Sequence, residues 1–391
     1  MNSPSVSRTA TADLSLVPIA RLLGVGTCAP EFSILQSEAA QLAQALKVSD
    51  RWHRALPALY RKSGVTRRGS VLLNSDQGPL ASRQGFYPVQ DAGLGQPPST
   101  QQRMEAYARH ASPLLQKACM HALAAADLEP TAVTHLVTVS CTGFYSPGLD
   151  FSLIEQLKLS GQVQRCHLGF MGCHGALNGL NMARAITQAD PSAMVLLGAV
   201  ELCSLHQQYT DDPEQLVANA LFADGAAAVV MAGQVAAEKR TAESETDASW
   251  RVVDHFSAVL PGSTHMMSWR IGDHGFVMSL DSQVPALIEN SLRRLLEPWL
   301  ASHGMAVDNI DSWAIHPGGP RIVESTGRAL GLLASQLAPS LGVLANYGNM
   351  SSPTVLFILQ QLEETSDPGQ AVVMVAFGPG LCVEACLLER I

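Results

Sequence analysis

Long apolar runs are missing from this 391-residue chain: no stretch approaches the roughly 18 to 20 residues that a bilayer-crossing helix requires. The opening, MNSPSVSRTATADLS, is polar and lacks the apolar block of a signal peptide, so the cytoplasm is the expected compartment. No CxxC pair occurs among the eight cysteines, which sit in apolar or glycine-rich settings. Zinc sites and disulfide frameworks are therefore not expected, and Cys382 and Cys386 in CVEAC read as core-strand residues. Net positive charge is lacking as well: the formal charge is −9, which speaks against nonspecific nucleic-acid binding. Aromatic residues make up 5% and charged residues 15%, against 47% hydrophobic residues, a balance that predicts a large buried core.

One segment runs against the acidic balance. RWHRALPALYRKSGVTRRG holds Arg51, Arg54, Arg61, Lys62, Arg67 and Arg68 and contains no acid. A solvated helix face accounts for it, and so does an anchor for a phosphorylated ligand.

Apolar runs of strand length alternate with longer helical stretches. THLVTVS, AMVLLGAV and GAAAVVMAG form one group, DSWAIHP and AVVMVAFG a second. The alternation predicts an α/β protein with largely buried sheets. Between the groups, GQVAAEKRTAESETDASW reads as a surface linker or a long hairpin connection. The expected organisation is a tail over 1–17, a first half over 18–236 and a second over 237–391.

The second half echoes the first. Ser140 to His316 spans 176 positions, Cys173 to Asn349 again 176, and the strand starts Ala193 and Ala371 are 178 apart. Near-equal offsets suggest a duplication. Two such halves packed face to face about a pseudo-twofold axis would bring Cys173, His316 and Asn349, at related strand and helix ends, to one centre.

GFMGCHGALNG sets Cys173 among glycines at the mouth of a helix. A thiolate attacks thioesters, and a helix N-terminus beside an imidazole lowers a cysteine pKa. A small buried hydrophobe is the alternative reading. His174 is a poor partner for Cys173, because adjacent helical side chains diverge by about 100°. His316 in WAIHPGGP follows an apolar strand, where a structural histidine fits equally well. Asn349 in NYGNMSSP offers an amide donor for an oxyanion, or a helix cap.

GFMGCHGALNG, LVANALFADGAAAVV, WAIHPGGPRIVES, NYGNMSSPTVLFIL and AFGPGLCVEACLL occur together, in this order and spacing. In these motifs the chain resembles the type III polyketide synthases, relatives of chalcone and stilbene synthases, over roughly residues 18 to 391; SCTGFYSPG points to the bacterial branch. The resemblance implies a thiolase-like αβαβα layered fold built from two duplicated halves, and a homodimer. It also implies iterative decarboxylative condensation of malonyl-CoA onto an acyl-CoA starter, closing to a pyrone or a resorcinol-type ring. CoA thioesters enter as substrates; no cofactor and no metal are implied.

By the same resemblance Cys173 is the nucleophile, and His316 supports its thiolate and, with Asn349, stabilises the enolate. Phe222 and Met278 fall on two gatekeeper positions, the second usually phenylalanine. Cys141, His206, Trp269 and Ser351 fall on the cavity wall, where His206 and Trp269 add bulk that argues against a chalcone product. Ala376 replaces a family glycine, while Phe377, Gly378, Pro379 and Gly380 keep the cavity loop. Lys62 matches a CoA-binding cation, and Arg61, Arg67, Arg68 and Arg321 are further phosphate candidates. A fatty acyl starter is the first expectation, with acetyl- or malonyl-CoA as the alternative. A single-condensation enzyme fed by an acyl carrier protein is the other reading.

Overall fold

Strands buried on both faces decide the layering of this protein. The computed structural model describes residues 19–46, 49–88, 96–241 and 249–391; the expected tail over 1–17 and part of the connection between the halves, 242–248, lie outside them. In chain order the strands are β1 (Ala20–Cys28), β2 (Ser33–Leu35), β3 (Arg67–Gly69), β4 (His135–Ser140), β5 (Gln164–Gly169), β6 (Met194–Leu202) and β7 (Asp224–Ala232). They continue as β8 (Trp250–Val259), β9 (Met267–Gly272), β10 (Gly275–Leu280), β11 (Ser312–Ile315), β12 (Ala371–Gly378) and β13 (Cys382–Arg390). Nine of them follow one another in the order β11-β12-β13-β8-β1-β7-β6-β4-β5, with β9 and β10 forming a separate hairpin.

The order reads outward from a short seam where Ala20–Leu22 of β1 pairs antiparallel with Trp250–Val252 of β8. On one side come β7 (antiparallel to β1), β6 (antiparallel to β7) and β4 (parallel to β6). On the other come β13, β12 and β11, with the same sequence of antiparallel, antiparallel and parallel pairings. Among the nine strands of this sheet only β5, parallel to β4 at its end, has no counterpart.

Alternate residues then point to different layers. From β6, Val195, Leu197 and Ala199 enter the central core, as do Val372, Met374 and Ala376 of β12; the helices Gly175–Ala189 and Thr354–Glu363 fill that layer. Met194, Leu196 and Val200 face the outer helix Thr100–Ala125. Val373, Val375 and Phe377 face the helices Val284–Ser302 and Pro320–Leu330. The result is the expected αβαβα arrangement, with each fully buried Val, Leu or Ile contributing about 1.5–3 kcal/mol of transfer free energy.

One expectation needs correction, and one alternative reading falls away. Gln234–Thr241 of the supposed linker is helical, because Ala237 buries into the first core and Arg240 Nε donates to Ala126 O at 2.9 Å. Asn349 caps no helix: the helix after it begins at Thr354, and Asn349 instead forms a parallel bridge with Phe222. Cys386 is buried on β13 as expected, whereas Cys382 on the same strand is half-buried. Among the described residues no helix is long and apolar enough to cross a membrane.

Candidate active site

Cys173 is delivered by the turn between β5 and the central helix Gly175–Ala189. Gly172 there has φ +87°, and a Cβ on it would lie 2.4 Å from Pro379 Cδ, so only glycine lets the two loops meet. Cys173 is buried, and its Sγ accepts a hydrogen bond from Ser351 Oγ at 3.5 Å. Burial pushes the thiol up to about 12; the Ser351 bond opposes the shift and the nearby Glu201 adds to it. The lowered pKa expected from a helix N-terminus is therefore not realised in this resting state.

His316 follows β11, held by its backbone N donating to Val375 O at 2.8 Å. Its ring is buried with both nitrogens unpartnered, and burial, then the neighbouring His174, holds its pKa down to about 3. Asn349 is fixed to the loop before β7: its N donates to Leu221 O and its O accepts from Ala223 N, both at 2.9 Å. Its Oδ1 accepts from Ser351 N at 2.8 Å, which leaves the amide nitrogen as the group to offer a ligand. Cys173, His316 and Asn349 line one cavity of about 30 Å³ together with Phe222, Met278 and Phe377.

A second cavity of about 30 Å³ adjoins it, bounded by Cys141, Trp269, Ser351 and Pro379, with Cys173, Phe222 and Met278 shared by the two. Trp269 is pinned by its Nε1 donating to Cys141 O at 2.8 Å. His206 stands behind it, off both cavities. Its Nε2 lies 2.7 Å from Thr142 O and its Nδ1 accepts from Phe276 N at 2.9 Å, an arrangement suited to the neutral ring that burial also favours. The His206 ring stacks on Phe276 with centroids 4.2 Å apart. Beyond this wall lies another cavity, of about 90 Å³, between His206, Trp269 and the Ile34 and Leu73 side chains. Gly378 and Gly380 line neither of the cavities on Cys173; Gly378 packs on the His174 ring and Gly380 turns the chain with φ +121°.

The cations separate. Lys62 and Arg321 line a wide cleft of about 770 Å³ whose inner residues Leu221, Leu280, Gly318 and Ile322 also line the Cys173 cavity, so the cleft leads to the cysteine. Arg61 is exposed beside Lys62, and Arg67 is exposed with its Nη1 on Ser33 Oγ at 2.9 Å. Arg68 departs from the expectation of a phosphate anchor. It is buried, and its Nη1 donates to Asn219 O at 2.6 Å and to Phe222 O at 2.8 Å, clamping the segment that carries Phe222.

Two residues escaped the sequence reading. Phe276 is the buried hub of the aromatic wall, within 6 Å of the His206, Trp269, Phe144 and Phe170 rings. Glu201, at the end of β6, accepts from Cys141 N at 2.9 Å, Thr142 Oγ1 at 2.7 Å and Ser352 Oγ at 2.8 Å, tying both halves together beneath the cavity. Its signal was an acid inside the otherwise apolar run AMVLLGAVEL. Among the described residues no three His, Cys, Asp or Glu side chains group to hold a metal ion.

Comparison with known proteins agrees with this architecture. Residues 11–234 match the family model for chalcone and stilbene synthases, N-terminal domain, and residues 252–391 that for the C-terminal domain. The chain is 31% identical over 376 residues to the alpha-pyrone synthesis polyketide synthase-like Pks18 of Mycobacterium tuberculosis, covering 95% of this chain and 92% of that one. It is 34% identical over 369 residues to the 1,3,6,8-tetrahydroxynaphthalene synthase of Streptomyces peucetius, covering 93% and 92%. The crystal structure of PKS-I from the brown alga Ectocarpus siliculosus superposes with a TM-score of 0.88 at 30% identity, covering 96% of this chain and 99% of that one. With both family models matched along the chain, relatives of this identity and a thiolase-like fold, the protein belongs to the chalcone and stilbene synthase family and is a type III polyketide synthase.

Proposed function

We propose that Cys173 carries the acyl chain, that His316 and Asn349 serve the decarboxylation, and that the enzyme extends a fatty acyl-CoA starter with malonyl-CoA to a pyrone or resorcinol-type product. The observation that carries the assignment of roles is the shared cavity of Cys173, His316 and Asn349 at the inner end of the cleft lined by Lys62 and Arg321.

The chemistry follows from the groups present. The Cys173 sulfur attacks the acyl-CoA carbonyl, its proton passes to a ring nitrogen of His316, and CoA leaves as the thiol once that proton is returned to it. A charge on either residue alone is opposed by burial; together, thiolate and imidazolium compensate each other. Malonyl-CoA then loses carbon dioxide, and the electron pair left behind puts negative charge on the thioester oxygen. His316 and the Asn349 amide nitrogen are preorganised donors for that oxygen. The enolate carbon attacks the Cys173-bound acyl carbonyl, forming the new carbon–carbon bond and releasing the Cys173 sulfur. Phe222, Met278 and Phe377 exclude water from this sequence.

Lys62 and Arg321 suit the phosphates of CoA at the cleft, and Arg61 stands near enough to add to the field. The exposed Phe144, Phe151, Phe170 and Met171, near the free end of the sheet at β5, support a homodimer that covers them. The gap between the two matched segments, 234 to 252, supports a division of the halves at 236/237.

Mass spectrometry of products from malonyl-CoA with starter CoAs of graded length tests the reading. Products should lengthen with the starter up to long chains; a response that stays flat beyond short starters removes the fatty acyl assignment. Cys173→Ala should abolish condensation, and retained condensation removes Cys173 as the nucleophile.

A further inference from the structure

The hairpin of β9 and β10 pairs with no other described strand. Trp269 on β9 and Met278 on β10 stand directly opposite each other in it, and both line the small cavity on Cys173 and the larger one behind it. They form the partition between the two. A hairpin alone is marginal in water, so the place of this partition depends on what holds the hairpin.

The hold comes from the first half of the chain. Along the free edge of β10 alternate residues turn main-chain groups outward. Phe276 N donates to His206 Nδ1 at 2.9 Å, Met278 O accepts from the Gln215 side-chain amide, and Leu280 N donates to Glu214 Oε2 at 2.8 Å. Gln208 Nε2 lies 3.1 Å from each of Phe276 O, His274 O and His206 O, so its two protons serve three carbonyls. At the tip, Gly275 N donates to Thr100 Oγ1 at 2.9 Å and Thr100 N donates to Asp273 O at 2.8 Å. Side chains from 206–215 thus take the place of a neighbouring strand.

Gln208 is itself fixed from both sides: its N donates to Asn219 Oδ1 at 3.1 Å, and its O accepts from Asn219 Nδ2 at 2.9 Å. Asn219 belongs to the helix Pro213–Leu221, which also carries Glu214 and Gln215 and is followed by Phe222. One helix therefore spaces Phe222 from Met278, the two residues that line both cavities on Cys173. Gln208 lines none of these cavities, nor the wide cleft, so any effect it has on the acyl chain passes through β10.

We propose that Gln208 is a positioning residue for starter selection: by tying the free edge of β10 to the helix that precedes Phe222, it fixes how far Trp269 and Met278 close the passage between the two cavities. The proposal rests on Cys173 receiving the acyl chain. With the tie removed, the hairpin is free to draw back from Phe222, and longer chains gain room that shorter ones do not use.

The test uses the full-length enzyme with Gln208→Met, which keeps the length of the side chain and removes both protons. The ratio of kcat/KM for a long and a short acyl-CoA starter is measured, with lauroyl- and acetyl-CoA tried first and replaced by any two starters of different length that the wild type accepts. The ratio should rise by about threefold or more in favour of the longer starter, while malonyl-CoA decarboxylation without a starter stays within about twofold of the wild type. Arg240→Met, which loses the bond to Ala126 O far from the hairpin, serves as the control for stability: it should lower the melting temperature and leave the ratio where it was. A ratio that is unchanged or falls in folded Gln208→Met, or one that moves equally in Arg240→Met, overturns the proposal. Should Gln208→Met not fold, Thr100→Val, which frees Gly275 N at the tip, decides on the same ratio, and failure of both to fold assigns these bonds to folding and overturns it as well. The choice of starters makes the outcome independent of the fatty acyl assignment, and retained condensation in Cys173→Ala would count against the nucleophile instead.

Discussion

Ser351 Oγ donates to Cys173 Sγ at 3.5 Å, so the second half of the chain supplies the hydrogen-bond partner of a thiol carried by the first. That bond favours the thiolate, whereas burial disfavours it. Ser351→Ala should therefore slow alkylation of Cys173 at a fixed pH by up to about tenfold, with the loss recovered at higher pH. Iodoacetamide labelling against pH reads this directly, and equal profiles for variant and wild type would remove Ser351 from thiol activation.

Trp269 separates the small cavity on Cys173 from the larger one behind it. Trp269→Ala should join them and extend the range of starters accepted, at the expense of the bond to Cys141 O. Product mass spectra with graded starters check this; the expected outcome is longer accepted chains and a lower melting temperature, not loss of condensation.

The two kinds of cation should fail differently. Lys62→Ala and Arg321→Ala, at the cleft, should each raise KM for malonyl-CoA by roughly fivefold, about 1 kcal/mol, with little change in kcat and a smaller effect in high salt. Arg68→Ala removes a buried donor from two backbone carbonyls and should lower stability by about 2 kcal/mol. Steady-state kinetics beside thermal melts separates the two outcomes.

Glu201 carries a pH signature in stability. Burial raises its carboxyl to about 7, above its unfolded value, so the folded state holds more protons between the two. Its contribution is fully present below the unfolded pKa and is lost as pH rises through about 7. Asp224, raised to about 6 by burial, adds a similar slope over a lower window. Denaturation of Glu201→Gln against pH should show a shallower fall in stability from about pH 5 to about pH 7 than the wild type. An identical slope would mean the carboxyl titrates as it does unfolded.

Much of the scaffold was legible because buried parallel strands are apolar on both faces, and runs such as AVVMVAFG announce themselves. β1, with Gly24 and Gly26 inside it, and β5, exposed along most of its length, carry no such pattern and were not read. Asn349 was read as an amide donor with a helix cap as the alternative, since asparagine before a helix is commonly a cap; only the bridge to Phe222, 127 residues earlier in the chain, removes the cap. Arg68 was grouped with its exposed neighbours because charge patterning cannot distinguish a solvated guanidinium from one spent on carbonyls.

By itself the sequence determined the α/β class and suggested a repeat of its halves, since these are written in periodicity and spacing; the proposed reacting trio stayed open in its residues taken singly and was named only through the resemblance to a family. Tertiary structure alone decided the state of that trio. Desolvation set the thiol and imidazole, packing placed His174 against Gly378, and the approach of a loop of the second half brought Ser351 to Cys173. These depend on which distant groups exclude water together, and no local pattern of residues encodes that.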